Sequence, residues 1–396
     1  MSIQIQDALA PPRVAIYNRP RVRAVCYQLI LLAAVLWLGF EFALNAKANL
    51  GAQKIASGFG FLDNTAGFGI NQSLIPYNES DTYARVFFVG LLNTLLVAAI
   101  GIVLATILGF FVGIARLSRN WLAARLAGGY VELIRNLPLL FQILFWYLAV
   151  LGTLPGPRQS ISLFGDIFLN NRGIIVPAPV AGEGASAVVA IFALSVIATI
   201  ALRLWAKRRQ IRTGRRFPLF WTGTALVVGP PLVALVVMGF PIGFERPELR
   251  GFNFVGGVRL LPEFVALLLA LTTYTAAFIA EVVRAGVLAV PRGQTEAAFA
   301  LGLRRGLTLR LIVVPQALRV IVPPLTNQYL NLTKNSSLAV AVGYPDLFAV
   351  FAGTALHQTG QAIEIIAITM AVYLAISLFT SALMNWYNAH IQVAER

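Results

Sequence analysis

The chain has 396 residues, of which 58% are hydrophobic and 12% charged, with a net charge of +15. That is too little charge to cover a soluble globule, and the Lys and Arg residues fall in short segments between apolar runs, the pattern of membrane topology rather than of nucleic-acid binding. The single Cys26 excludes an internal disulfide and a cysteine metal site, and His357 and His390 are too far apart in sequence to suggest a histidine cluster.

Residues 1–25, with Pro11, Pro12, Arg13, Arg19, Arg21 and Arg23, read as a cytoplasmic tail. Cys26 to Leu44 is long enough to span about 30 Å of hydrocarbon at about 1.5 Å per residue. Ala46-Lys47-Ala48 has the form of a cleavage signal, but the preceding basic region is long and the apolar run exceeds a usual signal core, so an uncleaved helix is expected. Asn49 to Thr82, rich in Gly and Asn, reads as a weakly structured exported loop.

Tyr83 to Ala115 forms the next crossing, and the spacing of Gly109 and Gly113 permits close helix approach. Arg116, Arg119 and Arg125 mark the inner side, and Tyr130 to Leu151 returns outward carrying Glu132, Arg135, Asn136 and Gln142. Leu154 to Gly184, with Pro155, Pro157, Pro177 and Pro179, reads as external loop. Ala185–Trp205 and Phe217–Phe240 make a helical hairpin around Lys207, Arg208, Arg209, Arg212, Arg215 and Arg216, which serve either as a topology anchor or as an anionic-lipid contact. After a further external loop, Pro241 to Leu261, the run Pro262 to Gly286 comes in. Leu311 to Gly343 then goes out, with Pro315, Pro323 and Pro324 expected to kink it beside a cavity. Ala362 to Tyr387 ends the chain inside. The fold class is an all-α polytopic membrane protein of about eight transmembrane helices with both termini cytoplasmic. On that assignment 19 Lys and Arg lie inside and 7 outside, the asymmetry that orients membrane proteins.

Between two apolar runs lies a polar loop, Ala289 to Arg310, too short for a domain and so expected to act against another protein. Helix propensity favours Glu296 to Leu301, with Thr295 able to cap. Ala297, Ala298 and Ala300 admit a close surface, Phe299 and Leu301 offer apolar contact, and Gly302 permits a reversal. Arg304, Arg305 and Arg310 suit a membrane edge or carboxylates on a partner. A solvated connection between helices is the alternative.

Glu296-Ala297-Ala298 followed by Gly302 resembles the EAA loop of the membrane subunits of ABC importers. The flanks Arg284-Ala285-Gly286, Pro291-Arg292-Gly293-Gln294 and Pro315-Gln316 resemble its polar-amino-acid permease branch, in the long general L-amino-acid form. The resemblance covers Phe87 to about Leu151 and Leu261 to Tyr387, whereas the first helix and the hairpin depart from shorter five-helix members. It implies a type I importer permease core in two parts, 83–152 and 261–396. An extra first helix and loop (26–82) precede the core, and periplasmic loops with the inserted hairpin (153–260) divide it. It further implies that Glu296, Ala297, Ala298, Leu301, Gly302 and Arg304 couple to an ATPase.

The partners implied are two copies of an ABC ATPase, a second and different permease subunit, and a periplasmic amino-acid-binding protein, in the bacterial inner membrane and without nucleic acid. No G-x-x-x-x-G-K-[ST] occurs, so ATP and Mg would be bound by the ATPase, with no cofactor in this chain.

A zwitterionic substrate needs donors for its carboxylate and acceptors for its ammonium. Arg135-Asn136-Leu137-Pro138 stands where similar permeases carry an Arg-Gly-Thr-Pro type turn, and its carbonyls with Asn136 and Gln142 are expected to line the pathway. Lys334, Asn335 and Ser336 resemble the family's Lys-Asn-Ser/Thr-Ser-Leu stretch and offer donors at helical spacing, as does Asn331; hydrogen bonds between helices are the alternative. Glu281, an acid within an apolar span, reads either as an ion pair with Arg284 one turn on or as a pathway residue. Two other classes compete. A secondary transporter would need an ion-coupling carboxylate, and a membrane-embedded enzyme would need facing acids or metal ligands.

Overall fold

A computed structural model describes residues 20–52, 57–214, 217–240 and 242–391. The first helix, α1 (Pro20–Ala52), starts inside the stretch expected to be tail and runs on past Leu44; residues 1–19 lie outside the described residues. Its membrane-length segment has no buried residue, and Leu31, Leu36, Trp37 and Phe42 stand exposed, as befits a helix bathed in lipid.

The stretch after it corrects the expectation of a weakly structured loop. Phe59–Asp63 forms a 3-10 turn, Thr65 bridges to Thr82, and Phe61 and Ala66 are buried with Tyr83, Leu347, Phe351 and Ile365. Two apolar anchors set among Gly and Asn residues have no periodicity to announce them.

Helices α2 (Tyr83–Arg116) and α7 (Pro262–Leu288) form the central pair. Gly101 lies against Leu268, Gly109 against Ile279 and Gly113 against Val283, so the two run parallel. The Gly109–Gly113 spacing thus does what it suggested: a Cβ at Gly109 would stand 2.6 Å from the Ile279 Cβ and 3.0 Å from the Ala276 carbonyl. α10 (Val314–Asn335) runs the other way, with Ile321 against Gly286 and the Tyr329 hydroxyl 2.9 Å from Thr106 Oγ1.

The expected straight crossing from Tyr130 to Leu151 is broken. α3 (Trp121–Asn136) is capped by the Asn120 side chain, which accepts from the amides of Leu122 (3.0 Å) and Ala123 (3.3 Å). α4 (Leu139–Leu144) continues as a π-helical segment to Leu151, and the two parts meet at 108°. Pro138 lacks an amide and holds Leu137 extended (φ −100°, ψ 131°), which ends the helix before it. Counting this bent pair as one span, up to eight crossings exist among the described residues, and seven without it.

Both loops expected to be external hold strands, an addition to the all-helical expectation. β1 (Ile161–Leu163), β2 (Ile167–Asn170), β3 (Gly173–Val176) and β8 (Val258–Leu260) form one antiparallel sheet in that order. β4 (Ala178–Ala181) pairs with β5 (Ile242–Glu245), and β6 (Glu248–Arg250) with β7 (Asn253–Val255). The register Ile174↔Leu260 and Val176↔Val258 puts both loops at one end of the molecule.

The hairpin between them is α5 (Ala185–Thr213) and α6 (Leu219–Val237), packed principally on each other. α5 outlasts its apolar stretch and carries Lys207, Arg208, Arg209 and Arg212 in helix, ending at Gly214 with φ 67°. Arg215 and Arg216 lie outside the described residues.

The run from Leu311 is helical as far as Val342. α10 passes through Pro323 and Pro324, and the irregular parts are a π turn at Leu309–Val313 and a 3-10 segment at Ser336–Val342. Pro315 directly follows the π turn, where its missing amide falls at the change of helix type. A cavity does flank this helix, about 910 Å³ between Phe110, Ile114, Val283, Val313 and Ile321, and it is apolar. Beyond it a π-helical segment (Phe348–Ala355) and α11 (Leu356–Thr359) lead to α12 (Ala362–Ile391). Asp346 is buried there, accepting from the Ala349 amide (2.8 Å) and the Tyr373 hydroxyl (3.2 Å).

Candidate functional site: a loop helix and an arginine cluster

At the end of the molecule away from the strands, Arg292–Ala300 forms α8, longer than the segment expected from Glu296. Pro291, not Thr295, occupies the cap; Thr295 lies inside the helix and donates its hydroxyl to the Arg292 carbonyl (2.6 Å). Gly302, at φ 75°, ends the helix. Its amide donates to the Phe299 carbonyl (2.9 Å) and that of Leu303 to Ala298 (3.0 Å), closing the reversal.

α8 offers one face and hides the other. Ala298 is buried, whereas Glu296, Ala297, Phe299, Leu301 and Arg304 are exposed, Leu301 by 81%. Phe299 and Leu301 thus stand as bare apolar groups on a polar loop. After it, α9 (Arg305–Thr308) enters the π turn Leu309–Val313, against which α8 also packs, so the exposed surface sits directly on the base of α10.

Glu281 does pair with Arg284 (2.5 Å), as its spacing suggested. It also binds Arg116, from the end of α2, and has Arg135, from α3, 3.9 Å away. Arg135 in turn lies over the Phe278 ring at 5.0 Å. One carboxylate therefore holds three guanidiniums from three helices, and Arg116, only 16% exposed, relies on it most. Removing that carboxylate leaves three like charges together. Glu281→Gln is expected to lower the stability of the detergent-solubilised chain by about 2 kcal/mol, scaled down from a fully buried pair for the group's partial exposure. A thermal melt unchanged from wild type would show that the cluster is not a clasp.

The other pathway candidates do not converge. Asn136 donates to the Glu132 carbonyl of its own helix (2.7 Å), and Leu137 is exposed at the elbow. Gln142 is buried and donates to the carbonyls of Ile134 and Leu137 (3.0 Å each), so it braces the break. Ser336 is buried and donates to the Thr333 carbonyl of its own helix (2.7 Å), Asn335 is half-buried, and Lys334 faces a groove lined by Phe348, Thr369 and Tyr373. These three stand level with Leu332, which packs on Gly101, well away from Glu281. Sequence reasoning missed Arg116 as a Glu281 partner, the buried Asp346, and Asn93, whose amide joins the carbonyls of Gln72 and Pro345 (2.8 Å each).

Residues 205–393 match the family described as binding-protein-dependent transport system inner membrane component. The chain is 53% identical over 96% of its length to the putative amino-acid ABC transporter permease protein YhdX of Escherichia coli, covering 97% of that protein. It is 52% identical over 97% to the general L-amino acid transport system permease protein AapQ of Rhizobium johnstonii, covering 96%. It is 44% identical over 95% to the glutamate/glutamine/aspartate/asparagine transport system permease protein BztB of Rhodobacter capsulatus, covering 95%.

Proposed function

Since the chain belongs to the amino-acid ABC transporter permeases, we propose that it carries L-amino acids from the periplasm to the cytoplasm as one permease subunit of an inner-membrane importer. The energy comes from two copies of a separate ATPase that hold ATP and Mg. A second, different permease completes the pathway, and a periplasmic binding protein delivers substrate to the strand-bearing end. Both termini lie in the cytoplasm.

The observation that carries this reading is α8, which packs on the π turn feeding α10 and leaves Phe299 and the following Leu301 bare. Glu296, Ala297, Ala298, Leu301, Gly302 and Arg304 form the seat of the ATPase, and closure of the nucleotide-binding pair moves α10 between two states of differing access. The Glu281 cluster and the elbow at Leu137-Pro138 stand between the pathway and the cytoplasm, while Lys334, Asn335 and Ser336 stand further out.

Copurification of an ATP-hydrolysing subunit with the tagged permease is the expected result, together with ATP-dependent uptake of amino acids by the reconstituted complex. Cysteines introduced at Thr295 and Leu303 are expected to label only from the cytoplasmic side. Labelling only from the periplasm would overturn the orientation and the coupling role together.

A further inference from the structure

A polar cavity of about 470 Å³ lies between the strands and the ends of the core helices beneath them. Arg172 and Asn171 reach it from the start of β3, Arg259 from β8, Asn71 from the packed loop after α1, Glu263 from the first turn of α7, and Tyr147 from the π segment after α4. Four parts of the chain, distant in sequence, thus place charged and amide groups around one space. Its size is that of a small-molecule site.

Its charges are of both signs and separately held. Arg259 donates through Nε to the Arg172 carbonyl (3.0 Å), and an Arg172 amino group binds the side chain of Asn253 in an adjoining pocket that both arginines also line, so both guanidiniums are held by neutral acceptors at the border of the two spaces. Among the described residues no carboxylate pairs with either. Glu263 accepts from the Tyr147 hydroxyl at 3.1 Å through one oxygen, and its second oxygen faces no cation within ion-pair distance. Two oriented guanidiniums suit a carboxylate, and one carboxylate braced by a phenol suits an ammonium.

We propose that this cavity is a relay site that receives the zwitterionic backbone of an α-amino acid, its carboxylate on Arg172 and Arg259 and its ammonium on Glu263, before the substrate enters the bundle. The inference rests on the reading of the chain as an amino-acid permease and adds a site built by the strands between the two halves of the core. Contact with the backbone groups alone leaves the side chain free, which allows one relay to serve amino acids of different kinds.

The test uses the whole reconstituted complex with saturating liganded binding protein. Arg259→Gln and Glu263→Gln are each expected to slow import about tenfold while ATP hydrolysis stimulated by the liganded binding protein, and the affinity for that protein, stay at wild-type values. Arg259→Lys, which keeps the charge and the strand, is expected to recover part of the rate. Arg246→Gln, on an exposed arginine near Asp166 and outside the cavity, is expected to change nothing. Wild-type import by both Gln variants overturns the relay, and so does a loss of binding-protein affinity, which would make these residues part of a docking surface. A wild-type complex that hydrolyses ATP but imports no amino acid would instead refute the function on which the relay rests.

Discussion

Gly302→Asp is expected to reduce substrate-stimulated ATP hydrolysis to its basal level with the membrane complex still assembled. Gly302 sits at φ 75°, and a Cβ built there meets nothing within 4 Å, so the site has room for a side chain. Asp is among the residues that enter the left-handed region most readily, so the backbone cost stays below about 1–2 kcal/mol. The fold therefore tolerates the change. What it alters is the surface beside Phe299 and Leu301, where a carboxylate would enter the apolar contact proposed for the ATPase. Gly302→Asn, nearly isosteric and neutral, is expected to retain more coupling than Asp. Equal coupling in the Asp variant and wild type would remove α8 from the transmission path.

Gly109→Val is expected to have the opposite character, with loss of the folded permease itself. The Ile279 side chain and the Ala276 carbonyl already stand where its Cβ would go, and Gly113 is similarly closed by Val283 and Ala280. Flexible side-chain ends could yield, but the Ala276 carbonyl and the branched Cβ of Ile279 belong to the body of α7. Overpacking of this kind costs about 1–3 kcal/mol or more, and in the central pair it separates helices on which α3, α4 and α10 pack. The measurement is recovery of monodisperse protein from membranes, with Gly128→Ala as the matched control because nothing lies within 4 Å of a Cβ there. Normal recovery of Gly109→Val would mean that α2 and α7 are less tightly joined than their glycines indicate.

The crossings were legible because a bilayer imposes a length and a composition on whatever spans it. The short helix in the polar loop and its reversal were legible too, since Glu296-Ala297-Ala298 and Gly302 combine a local propensity with a backbone requirement. The elbow at Leu137-Pro138 had its signal in Pro138, but hydropathy averaged across Tyr130–Leu151 hid it. Strands of three or four residues, such as Ile161–Leu163, are too short for alternation to show, and β8, one of the two partners of β3, lies beyond two intervening membrane helices. The Glu281 cluster was half visible. The Arg284 contact follows from helical spacing, whereas Arg116 and Arg135 arrive only through tertiary packing of α2 and α3 on α7.

Val176 and Val258 are neighbours across a ladder, with chains roughly 5 Å apart. Everything between them, including two membrane helices, is therefore an excursion that leaves and rejoins the chain at nearly one point. Such a module is excisable: a graft of about two or three residues would close the gap, and a lineage could gain or shed the hairpin without moving a helix of the core.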